Sequence, residues 1–179
     1  MLSNRTSFVI LCEDVQQEIF ARKYLVQRGV MRRKITPNVC PSGKQSGEQF
    51  VRDEFMKEVK TLRQTGRENR ALIVVIDADT YSIQHRLEQL NDSLTSSKQK
   101  PRQKTERICI FVPKRNIETW IKFGQGQAVD EENSYPKLRK ESDCSDAVRR
   151  LANEVCTKPL PHHAPSSLHH ACEEIKRIL

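Results

Sequence analysis

The chain has 179 residues, 36% hydrophobic and 30% charged, which suits one domain with its own core, or one domain with a small extension. Its 31 Lys and Arg against 23 Asp and Glu leave a formal charge of +8, favouring an anionic partner, nucleic acid foremost. No run of about 18 apolar residues is present to cross a membrane, the first seven residues lack the apolar core of a signal peptide, and the apolar content is too high for a disordered tail.

Residues 8–12 are a continuous apolar run and read as a strand buried on both faces. Glu13 and Asp14 end it, and residues 15–28 follow with Ile19, Phe20, Tyr24 and Leu25 at helical spacing and Gly29 as the stop. Residues 34–40 form a second strand that Pro37 places at an edge. A Ser/Gly/Lys loop over 41–47 leads into an amphipathic helix over 49–64. Residues 71–76 are the strongest strand, closed by Asp77-Ala78-Asp79, and a helix over 83–94 sets Leu87, Leu90 and Leu94 on one face. The basic stretch 96–104 reads as an exposed connection, 107–112 as a further buried strand, and Asn116 as the cap of a helix through Ile117, Trp120 and Ile121. Beyond residue 123 no strand is expected, only helices over 145–156 and 167–179 separated by a proline-rich stretch, with Ser166 or Ser167 as a cap. Strands alternating with helices predict an α/β fold, a Rossmann-like, mostly parallel sheet flanked by helices over residues 1–123, with a helical extension over 124–179 packed on it.

Open parallel sheets bind ligands at the carboxyl ends of their strands. Glu13, Asp77 and Asp79 all follow buried strands there, and residues two apart on an extended segment point the same way. Converging carboxylates repel one another, and a hard cation such as Mg²⁺ or Mn²⁺ relieves that repulsion. Such a metal activates water and stabilises the leaving oxygen in phosphodiester cleavage. Each acid alone also suits a helix cap, as Asp14 and Asp79 do for the helices that follow them.

The strand-one Glu, the Asp-x-Asp after the central strand, and Pro113-Lys-Arg-Asn-Ile-Glu118-Thr-Trp120 after the next strand resemble a TOPRIM domain, in particular the small TOPRIM-like proteins of bacterial phage-defence loci of the RloB and OLD-nuclease kind. The resemblance covers roughly residues 8–123. It implies a metal-dependent nuclease or nuclease subunit, working with a separate ATPase subunit in an oligomer or complex; the cysteine usage, with no signal segment, is what points to a reducing cytoplasm. Glu13, Asp77 and Asp79 would be the metal ligands. Where the family has Glu-Gly-x-Thr-Glu, this chain has Asp14 for the Gly, and the second Glu falls on Gln17 unless Glu18 substitutes by a one-residue shift. Glu118 is either a further ligand or a partner of its helix dipole. Lys114 is either a contact to the scissile phosphate or a solvated turn residue. A catalytically inactive interaction module and a receiver-like phosphoacceptor domain built on Asp77 are the alternatives.

The charge is uneven. Residues 1–70 hold 14 basic against 8 acidic side chains, whereas residues 130–179 hold 8 against 9. The expected contacts to DNA or RNA are therefore Arg32, Arg33, Lys34, Lys44, Lys98, Lys100, Arg102, Lys104 and Arg115. The six cysteines form no Cys-x-x-Cys pair and are expected to be reduced. The pairs His162-His163 and His169-His170 lack the pattern of a metal motif.

Overall fold

The four apolar runs become four strands of one all-parallel sheet in the order β2-β1-β3-β4, with β1 Ser7–Cys12, β2 Ile35–Val39, β3 Arg70–Val75 and β4 Ile108–Phe111. The computed structural model describes residues 6–66 and 69–179; the amino-terminal residues read above for a signal peptide fall partly outside them. β1 and β3, almost continuously apolar, lie in the middle, while β2 with Pro37 lies at an edge, where a missing N–H costs least. Strand residues alternate between two cores. Phe8, Ile10 and Cys12 face one side, and Val9 and Leu11 the other.

The second face is covered by α2 (Gly47–Thr65) and α3 (Ile83–Ser96). The first is covered by α1 (Val15–Gln27), α4 (Glu118–Gly124), α5 (Ser145–Arg150) and α6 (Ser166–Glu174). The carboxy-terminal extension thus supplies Val148, Leu151, Leu168, Ala171 and Ile175 to the same cluster as Phe20, Phe111 and Trp120. Phe20 and Phe111 both pack their rings on the buried Trp120, whose indole Nε1 donates to Ser167 Oγ in α6 at 2.8 Å.

Caps define where the helices begin. Asp14 Oδ1 accepts from Gln17 N, Ser46 Oγ from Gln49 N and Ser82 Oγ from His85 N. Three expected caps are not caps. Asp79 leaves the start of α3 to Ser82. Asn116 instead clasps the backbone of Tyr135 through both its amide atoms, and α6 takes its cap from a distance, the Glu131 carboxylate accepting from the N–H groups of Ser166 and Ser167. Leu87, Leu90 and Leu94 pack on the same core as the spacing predicts, Leu87 only partly buried, and Arg86 is buried in line with Leu90 and Leu94. Cys156 and Cys172 form a disulfide between the π-helical turn Leu151–Val155 and α6, so two cysteines expected to be reduced are paired. Their meeting depends on the tail folding back on itself, and no short motif announces that.

Candidate active site

The parallel register sets the site. Cys12 lies opposite Val75, and Val75 opposite Phe111, so Glu13, Asp77 and the Pro113-to-Asn116 turn all emerge at one carboxyl edge. The Asp77 N–H donates to Glu13 Oε1 at 2.6 Å, joining the ends of β1 and β3. Glu13 N–H in turn donates to Gln17 Oε1 at 2.9 Å, so the residue at the position of the family's second acid braces Glu13 instead of adding charge. Gly47, first residue of α2, packs directly on the Glu13 side chain: a Cβ there would stand 2.6 Å from Glu13 Cβ.

Asp77 is half-buried at the end of β3, and its Oδ1 lies out of reach of solvent with no hydrogen-bond partner. Burial, followed by the charges of Glu13, Asp14, Asp79 and Glu118, drives its carboxyl well above the ordinary range. Burial also pushes Glu13 up to about 7, against the hydrogen bond from Asp77 and with the Asp79 charge adding to the rise. Glu118, 2% exposed in the first turn of α4, is raised by burial, and its Oε1 also lacks a partner. These are carboxylates short of positive charge. Glu13 and Asp77 fit a hard divalent cation on that ground, because a buried oxygen without a partner is costly unless a cation or proton meets it.

Asp79 behaves differently. Its φ of +53°, a region that Asp tolerates better than most residues, turns the chain, and its Oδ2 accepts from Arg86 Nη2 at 3.0 Å. Arg86 is 2% exposed and was not anticipated. Its Nε donates to the Asp77 carbonyl at 2.9 Å and its Nη1 to Glu48 at 3.0 Å and Gln89 at 2.9 Å. Its guanidinium lies 5.0 Å from the centre of the Tyr81 ring, which stacks on His85. The sign of Arg86 in the sequence is its spacing, four before Leu90 and eight before Leu94, a cation in line with a buried stripe. Among the described residues no three His, Cys, Asp or Glu side chains are gathered so as to hold a metal between them. The Glu13–Asp77 pair is formed, and Asp79, expected as the third ligand, is held on Arg86.

The cations divide between two ends of the sheet. Lys114 and Arg115 belong to the turn after β4, at the acid edge; Lys114 Nζ donates to the Tyr81 carbonyl, and Arg115 adopts a φ of +67°. Lys44 lies at the same edge, in the exposed loop before α2. Arg32, Arg33 and Lys34 directly precede β2, and Lys98, Lys100 and Lys104 lie between the end of α3 and the start of β4. Both groups sit at the amino edge, a strand length of about 17 Å from the acids. Arg102 is no surface contact: it is ion-paired to Glu174 with both side chains largely buried, because Glu174 needs a counter-charge where it enters the core. Comparison with protein-family models, curated proteins and solved structures found no match.

Proposed function

We propose that the carboxyl edge is a divalent-cation site, for Mg²⁺ or Mn²⁺, held by Glu13 and Asp77 and used to hydrolyse nucleic-acid phosphodiesters. The observation that carries this reading is the Asp77 carboxylate, half-buried with an unpartnered, buried Oδ1, on a residue whose own N–H bonds a second raised carboxyl, Glu13. A bound cation would supply an activated water and charge neutralisation at the leaving oxygen. The chain's own residues do the rest. Gln17 and Gly47 fix Glu13, Arg86 fixes the 77–79 turn through the Asp77 carbonyl and the Asp79 carboxylate, and Lys114 and Arg115 present positive charge to an incoming phosphate. Glu118 stands ready as a proton acceptor at the same edge. Service in phage defence with a separate ATPase subunit is the setting that the TOPRIM resemblance adds to this reading.

A second reading, an inactive interaction module of the same fold, is favoured by one observation: Arg86 already neutralises Asp79, the third acid of the edge. Titration calorimetry with Mn²⁺ separates the two. Stoichiometric binding that Asp77→Asn abolishes, together with Mn²⁺-dependent cleavage of single- or double-stranded DNA or RNA lost in the same variant, supports the nuclease. Binding without cleavage of any substrate supports the module, and no binding at all sinks the metal site.

A further inference from the structure

A groove of about 400 Å³ runs along the outer side of α1, closed opposite by the residues that open α5. Its floor is apolar, made by Ile19 and by Val26, which is 40% exposed where most branched side chains of this protein are buried. Lys23 and Arg32 line it from one side and Ser142 and Ser145 from the other. Arg22 at the rim is held by Glu18 at 2.8 Å, whereas among the described residues neither Lys23 nor Arg32 is joined to an acid by an ion pair. Of the nearby acids, Asp146 is tied to Arg149 at 2.9 Å, while Glu141 and Asp143, beside Ser142, are exposed and do not line the groove.

An apolar floor between cations and hydroxyl groups matches a chain that alternates flat bases with phosphates. A duplex keeps its base faces stacked inside and would leave the floor without a contact. An acidic peptide would satisfy the cations but offers no flat surface for Val26. We propose that this groove seats single-stranded nucleic acid, with phosphates on Lys23 and Arg32, hydrogen bonds from Ser142 and Ser145, and a base against Ile19 and Val26. α1 starts at Asp14 beside Glu13, so Ile19 to Gln27 lie about 8 to 20 Å along the helix from the acid edge. A seated strand therefore runs toward Glu13 and Asp77. That direction of travel rests on the function proposed above, but the seat does not.

The test is fluorescence anisotropy with a labelled oligothymidylate of about 12 nucleotides, within the span of ordinary single-strand sites, in EDTA and over a series of NaCl concentrations. EDTA makes the outcome independent of the metal site: loss of binding here leaves the calorimetry untouched, and a failed metal titration leaves this result standing. Lys23→Ala and Arg32→Ala are each expected to weaken binding about tenfold and to lower the salt slope by about 0.7, one phosphate contact each. Val26→Ser should weaken binding with the slope unchanged, a loss that diffuse charge attraction does not produce. The double variant Lys57→Ala/Lys60→Ala, exposed on α2 across the sheet, should bind within twofold of wild type. Equal weakening in that double variant, wild-type binding by the groove variants, tighter binding of a duplex of the same length, or displacement of the probe by polyglutamate at matched charge would each overturn the proposal.

Discussion

Glu13 is fixed from three directions, by Gln17 on its N–H, by the Asp77 N–H on its carboxylate, and by Gly47 against its stem. Gly47→Ala forces a methyl group to within 2.6 Å of Glu13 Cβ, so either α2 or Glu13 must move. The expected cost is about 1–3 kcal/mol in urea denaturation, as for other overpacked sites, together with weaker Mn²⁺ binding. Unchanged stability and affinity would mean that the helix start yields freely. Asp77→Asn should act in the opposite sense. Removing an acid whose buried oxygen has no partner leaves the metal-free protein as stable as wild type, or more so, while the melting-temperature rise on adding Mn²⁺ disappears. A large loss of stability in EDTA would instead make Asp77 a structural residue. Glu13 and Asp77 were legible because an acid that ends an apolar strand is a departure from pattern. Arg86 is legible only as a spacing, four before Leu90 and eight before Leu94, and a single cation so placed also reads as solvated surface until the fold shows that its line of residues faces inward. Its replacement by Met should cost about 2 kcal/mol, since Glu48 and Asp79 keep partial access to water when their partner is lost.

At the scale of elements, α6 is attached by charge. Glu174 Oε2 accepts from the Ile110 N–H at 2.9 Å and from Arg102, and Oε1 from Arg177, so a carboxylate in the core covers the free edge of β4. Burial raises its pKa, but the Arg102 hydrogen bond and charge, with Ile110 and Arg177, outweigh that and bring it below the ordinary range. For Glu131 the bonds from Ser166 and Ser167 outweigh burial in the same way. A depressed carboxyl contributes stability that is full above its unfolded pKa, near 4.3, and is lost as pH falls through the lower folded value. The attachment of α6 should therefore weaken below about pH 4. Trp120, the one tryptophan, donates to Ser167 in α6 and reports it. Its emission should shift to the red on acidification, and Glu174→Gln should show much of that shift already at pH 7. An emission maximum constant down to pH 3 would contradict this. The disulfide acts on the same element. It closes a loop across a sequence separation of 16, for which loop entropy gives about 3 kcal/mol, so reduction should destabilise the tail by an amount of that order. The existence of both tail helices could be read from their periodicity. Their anchors could not, because Glu131, Glu174 and the cysteine pair find their partners across 16 to 72 positions of sequence.

Across the whole molecule, charge follows the direction of the chain. Helices that connect parallel strands run back against them, so α1, α2 and α4 present their amino ends at the carboxyl edge, where Asp14, Glu48 and Glu118 meet the positive ends of the dipoles. The basic residues before β2 and β4 lie at the opposite edge, near the helix carboxyl ends. A charge count along the sequence merges the two edges into one basic domain, and only the strand register separates them. The expected division at residue 123 is likewise softened by packing: Phe20, Phe111 and Trp120 on one side of it share a core with Val148, Leu151 and Ile175 on the other. Without the tail, α1 and α4 alone would cover that face, and the surfaces of Phe20, Phe111 and Trp120 that pack on Leu151, Leu168 and Ile175 would be exposed, an apolar patch that favours loose packing or association. A chain ending at Phe123 is therefore expected to keep its far-ultraviolet dichroism, lose the near-ultraviolet signal of Trp120, bind a hydrophobic dye and melt without a sharp transition. A cooperative transition in that shortened chain would establish instead that α1 to α4 and the sheet stand alone, and that the extension is an addition to a finished domain.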